Sequence, residues 1–278
     1  MKFYLPIHES IRTRMNNVND VLEHFYPSHR SPKATPYGFR LSTSRSIHHR
    51  AMLSGKFEPD EVAVVQQFLN QADVFVDVGA NIGFYTCLAK AKEKHVVAFE
   101  PLNRNLDYLY TNLSTNGWED VEVFPLGLSA HPGLLTLYSA SGTAASLVPG
   151  WGRFSKRFRE TIPVSTLDIV LGDRFDGRRM FFKIDVEGAE YEVLLGATHF
   201  LKMIPKPNWL IEICLDEHHP HGMNPHFVET FELFWKNNYL IKSASDIQRI
   251  ITRADVERWL HNGKTDVKTF NYLVVSVA

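Results

Sequence analysis

The hydrophobic pattern of the chain changes near Val74. Before that point apolar residues recur at helical spacing; after it they come in short, nearly unbroken blocks. In the first stretch, Val18, Val21, Leu22 and Phe25 are spaced like one face of a short helix. The run PSHRSPKATP (27–36) is polar and Pro-rich and reads as a surface loop, followed by a short strand over 37–41. Ser46 offers a capping oxygen for a helix beginning at Ile47, and Gly55 the left-handed residue that would end it. A second helix is predicted from Pro59 to about Asn70. Proline opens it, Asp60 and Glu61 suit the positive end of its dipole, and Val62, Val65, Phe68 and Leu69 form its apolar stripe.

Beyond Val74 the blocks VFVDV (74–78), HVVAF (95–99), VEVFPL (121–126), MFFKIDV (180–186) and WLIEICL (209–215) read as strands, with helices over 84–92, 105–116 and 189–195. Almost wholly apolar strands separated by helices imply a parallel sheet covered on both faces. Two segments, 133–139 and 161–165, read as extra strands around a loop at 140–159. The chain then runs through a helix (227–237), the strand YLIKSA, a helix near 253–260 and the strand FNYLVVSV. These last two strands read as neighbours, one of them antiparallel to the rest. The predicted organisation is an N-terminal helical extension over 1–70, serving as a lid or packing element, and an α/β domain over 71–278.

Composition narrows the partners. The 278 residues suit one large α/β domain with an elaboration, and 44% hydrophobic with 22% charged residues is ordinary globular usage. Thirty basic against 31 acidic side chains give no global field to recruit nucleic acid or an anionic membrane. Arg153, Lys156, Arg157 and Arg159 are a candidate local basic patch, with a solvated helix face or loop as the plainer reading. Cys87 and Cys214 lie within apolar runs and are expected to be buried; two cysteines make neither a disulfide framework nor a zinc cluster. The first residues lack the apolar core of a signal peptide, and no run approaches the about 18–20 apolar residues of a membrane span. A cytoplasmic protein is expected, with homo-oligomer assembly left open.

The densest chemistry is VDVGANIGFYT (76–86). A buried strand ends at Asp77–Val78 and the chain turns through Gly79, Asn81 and Gly83 into a helix. Glycines permit close approach of a ligand, and a helix start presents free N–H groups at the end of a strand, where open α/β sheets bind ligands. A dinucleotide fingerprint would need glycines where Asn81 and Phe84 stand, and no phosphate-binding G-x-x-x-x-G-K-[ST] occurs. Glu100 follows Gly79 by 21 positions, at the end of the second strand, where an acid accepts hydrogen bonds from ribose hydroxyls. A glycine turn and a ribose acid without a phosphate cradle suit a nucleoside such as S-adenosylmethionine. A nicotinamide dehydrogenase and a non-catalytic cofactor-binding module are the rival readings.

Taken in order, VFVDVGANIGFYT, VVAFEP, VSTLD and KIDVEGAEYEVLLGA resemble the FkbM-type methyltransferases. The resemblance covers about 50–278 and is dense from 74 to 197. It implies a Rossmann-like, seven-stranded, mostly parallel sheet with helices on both faces, and S-adenosyl-L-methionine as cofactor. Carried over, Asp77, Gly79, Asn81 and Gly83 surround the methionine end, Glu100 holds the ribose, and the turn Phe124–Gly127 flanks the adenine. It also implies O-methylation of a hydroxyl on a small molecule or glycan.

Lys183, Asp185 and Glu187 alternate along the fourth strand and so share one side. Charges in a core strand are costly unless they pair or bind something. Asp185 is therefore a catalytic candidate, with an ion pair to Lys183 as the structural alternative. Glu212 interrupts the fifth strand, and Asp216, Glu217, His218, His219 and His221 crowd the loop after it. His218 and His219 are candidates for orienting or deprotonating the acceptor. The spacing matches no metal signature, so no metal is assigned. The loop over 142–154, carrying Trp151 and Phe154, is expected to lie over the acceptor pocket.

Overall fold

The computed structural model describes residues 31–44, 46–139, 145–153 and 156–277. The helix expected around Val18–Phe25 and, in the loop at 140–159, residues 140–144, Phe154 and Ser155 lie outside the described residues. Two short strands, β1 (Lys33–Ala34) and β2 (Arg40–Leu41), pair antiparallel. Helix α1 (Ile47–Ser54) starts where Ser46 accepts a bond from the His48 N–H and ends at Gly55, whose φ is 70°. Helix α2 (Pro59–Leu69) follows.

The main sheet contains β3 (Val74–Val78), β4 (His95–Phe99), β5 (Glu122–Phe124), β10 (Met180–Ile184), β11 (Asn208–Glu212), β12 (Tyr239–Ser243), β13 (Asp246–Ile251) and β14 (Asn271–Ser276). Their order is β13-β12-β14-β11-β10-β3-β4-β5. The five strands from β11 to β5 are mutually parallel, and β14 runs antiparallel to both β11 and β12. The seven expected strands are present, and β13 adds an eighth. It is a polar, half-exposed edge strand closed by a hairpin onto β12, so no apolar block marks it in the sequence. The protein is an α/β fold with a mixed, mostly parallel sheet.

Successive residues face opposite sides of the sheet. Val74, Val76 and Val78 join Phe182, Ile184, Trp209 and Ile211 on one face, packed against α5 (Leu167–Leu171), α6 (Glu190–Leu195), α7 (Thr198–Lys202), α8 (Phe227–Lys236) and α9 (Arg253–Asn262). On the other face Phe75, Phe181 and Leu210 pack with β2, α1, α2, α3 (Phe84–Lys90) and α4 (Asn103–Thr115). The elements before Val74 thus share a core with the sheet: Phe39, Leu41, Met52, Val62, Val65 and Leu69 are all buried there. Cys87 and Cys214 are both buried thiols.

A second sheet, β6-β9-β7-β8, joins β6 (Gly127–Leu128), β7 (Gly133–Ser139), β8 (Ala145–Ser146) and β9 (Arg159–Ser165). It stands beside the C-terminal ends of the parallel strands and contributes Leu128, Leu137, Ala145 and Ile162 to a cavity there. Among the described residues no helix is long and apolar enough to cross a membrane.

Candidate functional site

At the C-terminal ends of β3, β4 and β10 lies a cavity of about 470 Å³, within the ~300–1,000 Å³ usual for ligand clefts. Its floor is the turn after β3. Gly79 and Ala80 both donate backbone bonds to the Phe99 carbonyl, at 3.0 and 2.9 Å, and Asn81 adopts a left-handed φ of 52°. Gly79 has φ 84°, and a Cβ there would lie 1.9 Å from the Asp185 carbonyl oxygen. Only glycine lets this turn and the end of β10 approach so closely.

Glu100 is 4% exposed and faces the cavity. The Asn81 N–H donates to its Oε2 at 2.7 Å and the Leu102 N–H to its Oε1 at 2.8 Å. Burial outweighs these two bonds and pushes its carboxyl up to about 7. Gly127 lines the cavity nearby, with Phe99, Leu126 and Leu128. Asp77 and Gly83 sit behind this wall. Asp77 is 1% exposed, and its Oδ2 accepts the Thr86 hydroxyl at 2.6 Å, on the first turn of α3. Gly83 faces Leu109, whose Cδ1 would be 2.3 Å from an added Cβ.

The end of β10 brings together the three charges that alternate in the sequence: Lys183, Asp185 and Glu187 all line the cavity. Lys183 Nζ is 2.8 Å from Asp185 Oδ2 and 4.7 Å from the centre of the Tyr85 ring. Burial disfavours this ammonium, but Asp185, Glu58 and Asp77 around it raise its pKa above the usual lysine range. The ion pair expected as the structural alternative is therefore formed, and Asp185 still faces the cavity.

Glu187 takes a left-handed φ of 55° and accepts the Trp151 indole N–H at 2.6 Å. Its backbone carbonyl accepts the Ser146 hydroxyl. Burial, then the Asp185 charge, raises its carboxyl to about 8, so it is mostly protonated near neutral pH. Trp151 lies directly over Gly188, where a Cβ would come within 2.4 Å of the ring. The described part of the 142–154 loop thus reaches the cavity through Ala145, Leu147, Trp151 and Gly152.

The two adjacent histidines separate. His218 lines the cavity, and its carbonyl accepts the Gly152 N–H at 2.7 Å. His219 turns behind Trp151, its ring edge-on at 4.7 Å, with a buried Nε2 that has no hydrogen-bond partner among the described residues. Burial lowers its pKa and favours the neutral ring. Glu212 reaches the cavity from β11, accepts the Cys214 thiol at 3.2 Å, and is raised well above the carboxylate range by burial. Among the described residues no group of three or more His, Cys, Asp or Glu is arranged to hold a metal ion.

The sequence gives little sign of the wall contributed by the N-terminal elements. Ser46, His48 and Met52 of the α1 region and Phe57 and Glu58 before α2 all line the cavity. Glu58 holds φ 39° and accepts the Tyr85 hydroxyl at 2.7 Å. Its one sequence signal is its place immediately before Pro59, where Ser, Thr, Asp or Asn would be the ordinary helix cap.

Comparison with known proteins places the chain in a family. Residues 77–241, more than half of the chain, match the model described as Methyltransferase FkbM domain. The chain is similar to hexuronic acid methyltransferase AglP of Haloferax volcanii, at 31% identity over 147 residues, which covers 53% of this chain and 59% of that protein. It is also similar to methyltransferase sdnD of Sordaria araneosa, at 28% identity over 183 residues, covering 54% of this chain and 68% of that one. The chain therefore spans about three-fifths of the length of the first of these relatives. Among solved structures, the SAM-dependent methyltransferase from Agrobacterium tumefaciens aligns with a TM-score of 0.44 at 7% identity, over 89% of this chain and 69% of that chain. The family match takes in the glycine turn, Glu100 and the end of β10, and the chain belongs to the FkbM methyltransferase family.

Proposed function

We propose that the protein is an S-adenosylmethionine-dependent methyltransferase that methylates a hydroxyl group of a small molecule or glycan. The observation that carries this is the cavity's composition. One cleft holds the Gly79–Asn81 turn, a ribose-type acid held by two backbone N–H groups, and four further carboxyls at Glu58, Asp185, Glu187 and Glu212. Among the described lining residues Lys183 is the one full cation, and it is paired with Asp185. Burial raises four of these five carboxyls, and a cofactor bearing a sulfonium and an ammonium would favour their ionised forms, whereas the pyrophosphate of a dinucleotide would oppose them. The family match and the named activity of AglP support methyl transfer, and the hexuronic acid in that relative's name supports a glycan acceptor.

On this reading Gly79, Asn81 and Glu100 bind the nucleoside, Gly127 borders the adenine, and Asp77 and Gly83 hold the turn in shape from behind. When bound, S-adenosylmethionine supplies an electrophilic methyl carbon for in-line displacement. Asp185, anchored by Lys183, and His218 orient the acceptor hydroxyl and take its proton, while His219 buttresses Trp151 over the acceptor. The single hydroxyl proton passes to Asp185 or His218, and the thioether S-adenosylhomocysteine would be the leaving group.

Titration calorimetry with S-adenosylmethionine tests the reading. Micromolar binding is expected, with none for NADH; NADH binding without affinity for S-adenosylmethionine would reverse it. For the acceptor wall, deletion of 142–154 or Trp151→Ala is expected to raise the acceptor KM roughly tenfold or more, through lost aromatic contact area, while leaving cofactor affinity near its original value. Unchanged acceptor kinetics would remove this loop from the site.

A further inference from the structure

The cofactor proposed above ends in an α-ammonium group, and seating that cation in a cleft needs an anion facing it. The carboxylates near the glycine turn are mostly engaged. Asp77 lies behind the wall and holds the Thr86 hydroxyl. Asp185 binds Lys183 at 2.8 Å. Glu187 is turned to Trp151, and Glu212 to Cys214. Glu100 lies beyond β4, bonded to the N–H groups of Asn81 and Leu102.

Glu58 differs. It is the residue before α2, yet it makes no side-chain cap to that helix. A glutamate preceding proline is held left-handed at φ 39° and ψ 60°, a costly conformation that turns its carboxyl into the cavity. Tyr85 at the start of α3 anchors Oε2 at 2.7 Å, and the same ring packs against the Lys183 ammonium. In the sheet β3 lies between β4, which leads to Glu100, and β10, which leads to Asp185. Glu58, Tyr85 and Lys183 therefore lie across Gly79 from Glu100. A nucleoside whose ribose rests on Glu100 extends its amino-acid arm towards them.

We propose that Glu58, supplied by the N-terminal elements from outside the family-matched segment, is the carboxylate that binds the cofactor's α-ammonium group. This rests on the S-adenosylmethionine reading. The test uses the full chain, unchanged and as Glu58→Gln, titrated with S-adenosylhomocysteine, with its deaminated analogue and with 5′-methylthioadenosine, which lacks the amino-acid arm. Glutamine keeps an acceptor for Tyr85, so the melting temperature is expected to hold. Loss of a charged hydrogen bond is expected to weaken S-adenosylhomocysteine about 10- to 100-fold in the variant, with 5′-methylthioadenosine within about twofold. The unchanged protein should disfavour the deaminated analogue by a similar factor, and Glu58→Gln should not weaken that analogue further.

Equal losses for S-adenosylhomocysteine and 5′-methylthioadenosine, or an unaltered affinity for the former, would overturn the assignment while leaving the cofactor reading standing. So would a variant that binds normally and fails only in methyl transfer. If the variant does not fold, equal binding of the deaminated and native ligands by the unchanged protein overturns it alone. An unchanged protein that binds none of the three ends the cofactor reading and this inference together.

Discussion

Gly79→Ala is expected to abolish cofactor binding and to destabilise the fold. The new methyl would sit 1.9 Å from the Asp185 carbonyl oxygen and 2.9 Å from its carbon, both backbone atoms at the end of β10. Asp185 cannot retreat cheaply, because its N–H is bonded to the Val78 carbonyl at 3.0 Å and the strands are in register beneath it. The residue also holds φ 84°, where any side chain is strained. Overpacking against backbone and a left-handed alanine together suggest a cost of about 3 kcal/mol or more. The turn would open and take Asn81 away from Glu100. Thermal melting and calorimetry read the two effects separately. A variant that melts normally and binds S-adenosylmethionine normally would mean that this close approach does not exist in solution.

Glu100 carries the second large effect. Glu100→Ala removes the acceptor proposed for two ribose hydroxyls and leaves the Asn81 and Leu102 N–H groups without this partner in a buried place. A loss of about 100-fold or more in S-adenosylmethionine affinity is expected. The pH dependence has a definite sign. Burial raises this carboxyl to about 7, so near neutrality a large fraction is protonated in the unliganded protein. Accepting two hydroxyl donors favours the ionised form, so binding should release a proton and tighten as pH rises from about 6 to 8. Calorimetry in buffers of different ionisation enthalpy would detect the proton.

The same upward shifts bear on stability. Glu58, Glu100 and Glu190 are raised by burial to about 7, and Glu187 to about 8. Each binds protons more tightly folded than unfolded, so their contribution is fully present near pH 4.5 and is lost as pH rises through 7 to 8. The unliganded protein should therefore melt at a higher temperature at pH 5.5 than at pH 8 as far as these groups decide it. A bound cation should narrow the difference, because it favours the ionised carboxylates.

Much of this arrangement could be read from the chain. Strands such as VFVDV and MFFKI carry apolar residues on both faces, so their sequence blocks are unambiguous, and Ser46 and Gly55 bound α1 as their capping chemistry requires. Other features depend on what stands opposite a residue, which local pattern does not encode. The glycines of the β3 turn were legible as glycines. That Gly79 faces the Asp185 backbone and Gly83 faces Leu109 was not. His218 and His219 are equivalent in sequence, yet a φ of 68° at the first sends one ring to the cavity and the other behind Trp151. Strand β13 was hidden because an exposed edge needs no apolar block, and Glu58 because its value comes from Tyr85 and Lys183, brought beside it only by folding.

Strand β14, the last of the described strands, lies between β11 and β12, and the buried Glu61 of α2 takes its bond from the Thr269 hydroxyl at 2.6 Å, 208 positions away. On a ribosome that synthesises the chain from its N-terminus, β12 and β13 emerge with no neighbour to join them to the parallel strands. Glu61 then waits, burial unmet, for a partner made near the end. The sheet can close only after residues 269–276 have left the exit tunnel, so the strand that unites its two parts is made after every other strand of it. A nascent chain stalled before Thr269 is expected to keep the facing edges of β11 and β12 unpaired and open to aggregation.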